Sequence, residues 1–245
     1  MNTSTIVLVV LATLVGLFFG NALGGLLWAL ILGVVTAVVA YVIGQRTQNT
    51  DVEVEESSLG HFLFNDVRSS ALWLPVRVFT GWQWIDASLH KLQSPAWMDT
   101  GAALKGYWTN AVAIPAQGSP AITYSWWRSF LQTMLDAQAY TWFAKLVAIG
   151  EFLIGLGLIV GALVGIAAFF GVLMNTSFLL SGSASTNPVM LLLAIGLILA
   201  WKVAGWIGVD RYLLPLLGTP WHRGRLFQGG GPRGSTASPI GAARP

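Results

Sequence analysis

The first 44 residues carry no charged side chain, and "TSTIVLVVLATLVGLFFGNALGGLLWALILGVVTAVVAYVIG" is apolar almost throughout. A run of this kind needs lipid around it, because about 20 apolar residues suffice to cross a hydrocarbon core of ~30 Å. One helix of about 40 residues would project far beyond that core at ~1.5 Å per residue. Asn21, Gly24 and Gly25 offer a turn, so the pattern predicts a tight transmembrane hairpin of two short spans, near 4–20 and 24–43, within residues 1–44. The run is also too long for a single secretory core of roughly 7–15 residues, and no small-residue cleavage site stands out, so it reads as a retained anchor. With 55% hydrophobic and 9% charged residues, against roughly 25% charged in a soluble domain, one membrane domain accounts for most of the chain.

"QRTQNTDVEVEESSLG" then breaks the apolar pattern and opens a polar linker, residues 45–70, outside the lipid. A third span is expected from Ala71 to Lys91, followed by a long loop, 92–139, rich in Trp, Gly and Pro. Within that loop "YSWWRSFLQTMLDAQAYTWF" sets Arg128, Gln132, Asp136 and Gln138 between aromatic and aliphatic residues, as a helix lying along an interface would, or as an aromatic belt anchoring its neighbours would. Further spans are expected at 140–161, 164–182 and 188–208, joined by short connections and therefore antiparallel neighbours. Gly155, Gly157, Gly161 and Gly165 give small surfaces on which helices approach closely. The tail, 218–245, holds His222, Arg223, Arg225, Arg233 and Arg244 without an acidic residue, and its composition is that of a disordered segment. Basic ends stay cytoplasmic, which places the C-terminus and the linker inside and the Trp-rich loop outside; five or six spans fit the pattern.

A charge inside hydrocarbon costs roughly 2.5–3.5 kcal/mol on insertion scales, so each buried one needs a partner or a purpose. Arg77 and Glu151 are the conspicuous cases. Measured from the expected span ends, their depths differ by about 7 Å, which an arginine side chain bridges, so an Arg77/Glu151 pair is expected with Asn175 at the depth of Glu151. Such a pair either specifies which helices meet or marks a functional site. Trp84, Ser88 and Lys91 follow Arg77 at steps of seven, four and three and share its face, forming a polar seam; Asp86 falls about 180° away. His90 and Lys91 emerge at the outer end. Lys202, near the end of the last span, can reach water, and Asp210 and Arg211 lie at the boundary.

The absence of cysteine excludes disulfides, thiolate metal sites, covalent haem attachment and a persulfide on this chain. His61, His90 and His222 are scattered over linker, helix end and tail, so no self-contained metal centre is expected. No G-x-G-x-x-G follows a predicted strand, and there is no phosphate-binding loop or nucleophile elbow. For the short basic tail of a membrane domain, anionic membrane lipid or a partner subunit is a better match than nucleic acid.

"RVFTGWQWIDASLHKL", "KLVAIGEFLIGLGLIVG", "GVLMNTSFLLSGSASTNP" and "AWKVAGWIGVDRYLLP" together resemble the DoxX/DoxD family of membrane proteins, in particular the DoxD-type membrane subunits of thiosulfate:quinone oxidoreductases. The resemblance spans about residues 70–217; "N-x-x-F-x-x-S-G-S" and "G-x-D-R" are its more particular elements. It implies an all-α integral membrane protein with a four-helix core, preceded here by the N-terminal hairpin. Arg77, Glu151, Asn175, Asn187 and Asp210 match the family's polar motif positions.

Two functions follow from this reading. In the first, the chain is an oxidoreductase subunit that passes electrons from a small, thiosulfate-like donor to membrane quinone, with no covalent cofactor. Arg77, His90 and Lys91 would supply positive charge or protons, Glu151 would pass a proton, and Trp84, Ser88 and Asn175 would contact the quinone. In the second, it is a non-catalytic subunit that anchors or stabilises a larger respiratory or photosynthetic complex through partner subunits. A transporter fits less well, because no inverted repeat of interrupted helices is evident.

Overall fold

The computed structural model describes residues 3–46 and 56–218. Among these residues the chain is all-helical. It divides into two units, residues 1–57 and 58–245.

The first unit is a helical hairpin of α1 (Thr3–Gly24) and α2 (Leu26–Arg46). Gly25 makes the turn with φ +83°, a left-handed conformation that glycine adopts without steric cost. The helices then pack through small residues. Ala29, Gly33, Ala40 and Gly44 are buried at helical spacing, and the Thr5 hydroxyl donates to the Gly44 carbonyl at 3.3 Å. A Cβ on Gly20 would collide with the Trp28 backbone, so this contact has no room for a larger residue. The two arms run over 3–24 and 26–46, against the expected 4–20 and 24–43, so the first is about a turn longer and the second is shifted by two to three residues.

The second unit begins with α3 (Ser58–Asn65) and a 3-10 turn (Val67–Ser69). The stretch read as a polar linker is helical in its second half, and its residues 47–55 lie outside the described residues. Asp66 caps the turn by accepting from the Arg68 backbone N–H at 2.9 Å, and the Arg68 guanidinium beside it lowers the carboxyl pKa to about 2. The main helices are α4 (Ser70–Leu92), α8 (Tyr140–Val160), α9 (Val164–Leu180) and α10 (Asn187–Leu199), with α5 (Pro95–Met98), α6 (Ala102–Val112) and α7 (Ser125–Asp136) between α4 and α8. The four main helices form a closed ring: α4 packs on α8, α8 on α9, α9 on α10, and α10 on α4. Trp84, Ile154, Leu158, Ala168, Met190 and Leu197 fill its axis.

Gly81 and Gly155 set the approach of α4 to α8. A Cβ on Gly81 would lie 2.9 Å from the Gly155 carbonyl oxygen, and one on Gly155 would lie 2.7 Å from that of Gly81. The expected surface of small residues is thus used directly, backbone against backbone.

Two expectations are corrected. The last span, expected at 188–208, ends as a helix at Leu199, and Ala200–Val209 continue as consecutive turns until α11 (Asp210–Leu217). Gly205 and Gly208 weaken helix propensity there, while Ala200, Val203 and Ala204 still bury themselves in the ring. The segment 92–139 is not an open loop. It carries three helices around its own core of Leu104, Trp108, Ala111, Ile122 and Leu131, with α7 being the amphipathic helix anticipated from its polar spacing. Leu26–Arg46 and Tyr140–Val160 are each long and apolar enough to cross a membrane; Val164–Leu180 and Asn187–Leu199 are apolar but shorter.

Because Gly155 faces backbone, Gly155→Val should separate α4 from α8 and cost about 1–3 kcal/mol, the usual range for overpacking. A lowered thermal midpoint of the purified protein would register this. Gly106→Val, at a site with no atom within 4 Å of the added Cβ, should shift the midpoint far less.

Candidate functional site

The Gly81/Gly155 contact fixes which charges on α4 and α8 can meet. It sets Glu151 opposite the stretch of α4 about one turn before Lys91, and Arg77 opposite Gly161. Helical side chains lean toward their own N-terminus. On antiparallel helices this brings the Lys91 and Glu151 side chains toward each other, until Lys91 Nζ donates to Glu151 Oε2 at 2.5 Å. Glu151 is 1% exposed, whereas the Lys91 side chain keeps 18% of its surface. The Trp97 ring lies over the ammonium at 5.3 Å, a cation–π contact from α5. Glu151 is therefore buried behind Lys91 near the C-terminal end of α4, with an indole over the ammonium.

The expected Arg77/Glu151 pair does not form. Alignment by span ends places the two residues within about 7 Å in depth, but the glycine register separates their levels by ten residues, or about 15 Å. Arg77 also leans away from Glu151. Its Nη2 donates to the Ile207 carbonyl at 2.7 Å, and its guanidinium packs against Gly161 and Gly208, where any Cβ would collide with Nη1. The opposing charge is Asp210, whose carboxylate accepts from Leu163 N at 2.6 Å and Val164 N at 3.0 Å, while the Asp210 N–H donates to the Gly161 carbonyl at 2.8 Å. Asp210 thus caps the first N–H groups of α9 from a distant part of the sequence, where the helix dipole favours an anion. Arg77 and Asp210 form a clasp joining the α8–α9 turn to residues 207–210.

The remaining candidates separate in the same way. Trp84 and Asn175 lie inside the ring with unpaired polar atoms: Trp84 Nε1 and both amide atoms of Asn175 are buried without a hydrogen bond. Trp84 Nε1 is 3.4 Å from where a Cβ on Gly171 would sit, and Asn175 follows Gly171 by one turn on the same buried face of α9. The Met174 sulfur lies beside Gly150, so Asn175 and Glu151 share a depth. Ser88 is buried on this side, but its hydroxyl donates to the Ile85 carbonyl at 2.7 Å and is committed to its own helix. His90 is exposed and does not join the site, because at 100° per residue it lies well off the face defined by Trp84 and Ser88. Asn187 donates to the Ser183 carbonyl at 2.9 Å in the α9–α10 connection. Lys202 is exposed and donates to Asn65 at 3.1 Å.

The site therefore combines an ion pair, one indole N–H donor and one amide that both donates and accepts, within an apolar ring. Burial of unpaired groups costs about 1–3 kcal/mol each, so Trp84 and Asn175 are held at a stability cost by the surrounding packing. Trp97 was not identified from the sequence as part of the site. Its signal was Pro95, which sends the chain back over the end of α4.

Lys91→Met should destabilise more than Glu151→Gln. The first strands an uncompensated carboxylate, for which losses of about 3–5 kcal/mol are typical, whereas the second leaves a lysine that can turn to water. Urea or thermal unfolding of both variants at pH 8 checks the order.

No family model, no curated protein and no solved structure matches the chain, so the reading of this site rests on its residues and their geometry.

Proposed function

We propose that the chain is a multi-pass membrane subunit of the DoxX/DoxD kind, with its C-terminus cytoplasmic, that takes part in passing electrons from a small thiosulfate-like donor to membrane quinone. The observation that carries this reading is the buried Lys91–Glu151 pair beside the unpaired Trp84 Nε1 and Asn175 amide. Buried ionisable residues inside a lipid-facing bundle are functional candidates by default, and orphaned donors are what a ligand carbonyl would satisfy. Quinone supplies a two-electron acceptor that needs two protons on reduction. The residues fit that need: Trp84 and Asn175 can donate to carbonyl oxygens, and Glu151 can hold a proton that Lys91 exchanges with the outer surface. Trp97 over Lys91 limits water entry at that point. Arg77 has no part in this chemistry; it positions the helices.

A second reading, an anchoring or stabilising subunit of a larger complex, is favoured by the hairpin. Its outward residues Leu26, Leu27 and Val34 are each more than 60% exposed and strongly apolar, a surface for membrane lipid or for a partner membrane subunit.

The two readings separate on one variant. Under the first, Glu151→Gln loses thiosulfate-dependent reduction of a short-chain quinone by about 100-fold or more, the lower range for removal of a general acid or base, with the elution profile unchanged. Equal turnover by wild type and variant, or none by either in the native membrane complex, would favour the second.

A further inference from the structure

A cavity of about 540 Å³ runs along the seam between α8 and α9. It extends from Leu163 to Ser181 on α9, ~27 Å of helix, and α6 and α7 roof its Ser181 end through Tyr107 and Trp127. Its volume is within the range of roughly 300–1,000 Å³ usual for small-molecule sites. None of the described residues lining it is charged, and Glu151 is not among them. Hydroxyls occur only at the roofed end. Two of these are committed: Ser177 donates to the Leu173 carbonyl at 2.8 Å, and Ser181 donates to the Ser177 carbonyl at 2.8 Å while accepting from Trp127 Nε1 at 3.0 Å. The third, the hydroxyl of half-buried Tyr107, is itself buried without a well-formed hydrogen bond, although Ser181 and Ser183 lie near enough to act on it. Burial raises its pKa, so at neutral pH the phenol is a donor.

We propose that this cavity holds a neutral single-chain amphiphile, its apolar tail along the α8–α9 seam and a carbonyl or hydroxyl of its head accepting from the Tyr107 hydroxyl. One apolar space of about 540 Å³ along ~27 Å of helix accommodates one chain. The lack of a lining cation disfavours a phosphate head, which would be desolvated there without a counter-charge. The unpaired phenol at the end of the seam, with no hydroxyl farther along it, sets the orientation. A prenylated quinone and a monoacylglycerol share this chemistry. The site is separate from the Lys91–Glu151 pair and stands or falls independently of electron transfer.

The full-length chain in amphipol would be titrated with decylbenzoquinone, with 1-monoolein and with lysophosphatidylglycerol, read by native mass spectrometry and by quenching of tryptophan fluorescence. Saturable one-to-one binding of a neutral probe is expected, and which of the two binds more tightly identifies the source. Gly150→Phe, which projects a ring from the cavity wall, should weaken that binding by more than about tenfold, and Tyr107→Phe by about fivefold, the loss of one net hydrogen bond. Ser177→Phe blocks the seam from the opposite helix and serves if Gly150→Phe does not fold. The proposal is overturned if neither neutral probe binds, if both blocking variants bind as wild type does, or if lysophosphatidylglycerol binds as tightly as the neutral probes. Loss of quinone reduction in Glu151→Gln with intact probe binding would leave this proposal standing and bear only on the electron-transfer reading.

Discussion

The contact of Gly81 with Gly155 decides the rest of the four-helix ring. Two backbones that meet without side chains between them cannot slide by a turn without driving a Cβ into a carbonyl. The register of α4 against α8 is therefore fixed, and with it the pairing of every charge along those helices. One step of register sets Lys91 to reach Glu151 and carries Arg77 to the opposite end of the bundle. The polar groups follow the packing; they do not direct it.

The two buried charge sites show different solutions to the same desolvation problem. At one end, Arg77 and Asp210 are tied to backbone groups: a carbonyl at residue 207 and the two N–H groups that open α9. Every bond there joins segments of chain, which suits a clasp that holds helices together. At the other end, Glu151 has a single partner on a flexible four-carbon stem that is still partly wet, and the neighbouring indole and amide are unsatisfied. A group with one movable partner can change state without unfolding its surroundings. That contrast separates an ion site fastened to backbone from one whose partner can move.

Much of the helical plan could be read from apolar periodicity. The hairpin turn at Gly25, the helix over 70–92 and the helices beginning near 140, 164 and 187 follow from apolar runs of sufficient length, with Gly25 and Gly161 marking two of the breaks. What escaped was information carried by contact. Span ends are a poor ruler for depth, because α4 extends past the end of α8, so Arg77 was placed too near Glu151. The ten residues after Leu199 are apolar enough to continue a helix, and only their packing as turns around Asp210 shows why they do not. The aromatic segment 92–139 hid two of its three helices, α5 and α6, because its glycines and prolines drew attention to the breaks. Of the site residues, Glu151, Lys91, Trp84 and Asn175 were legible from polarity inside apolar runs. The grouping of Trp97 with them was not, since it depends on a reversal of the chain at Pro95.

The early end of α10 has a consequence for the surrounding lipid. Thirteen helical residues give about 20 Å of length, short of a hydrocarbon core of ~30 Å. In a bilayer that mismatch is met by local thinning or by aromatic and basic side chains rising to the interface. The turns that follow and the start of α11 provide such side chains: Arg211 lies over the rings of Trp206 and Tyr212, at 5.3 and 5.9 Å. The bundle would therefore present one shallow side and one deep side to lipid, and a thinner membrane would fit the shallow side better than a thick one.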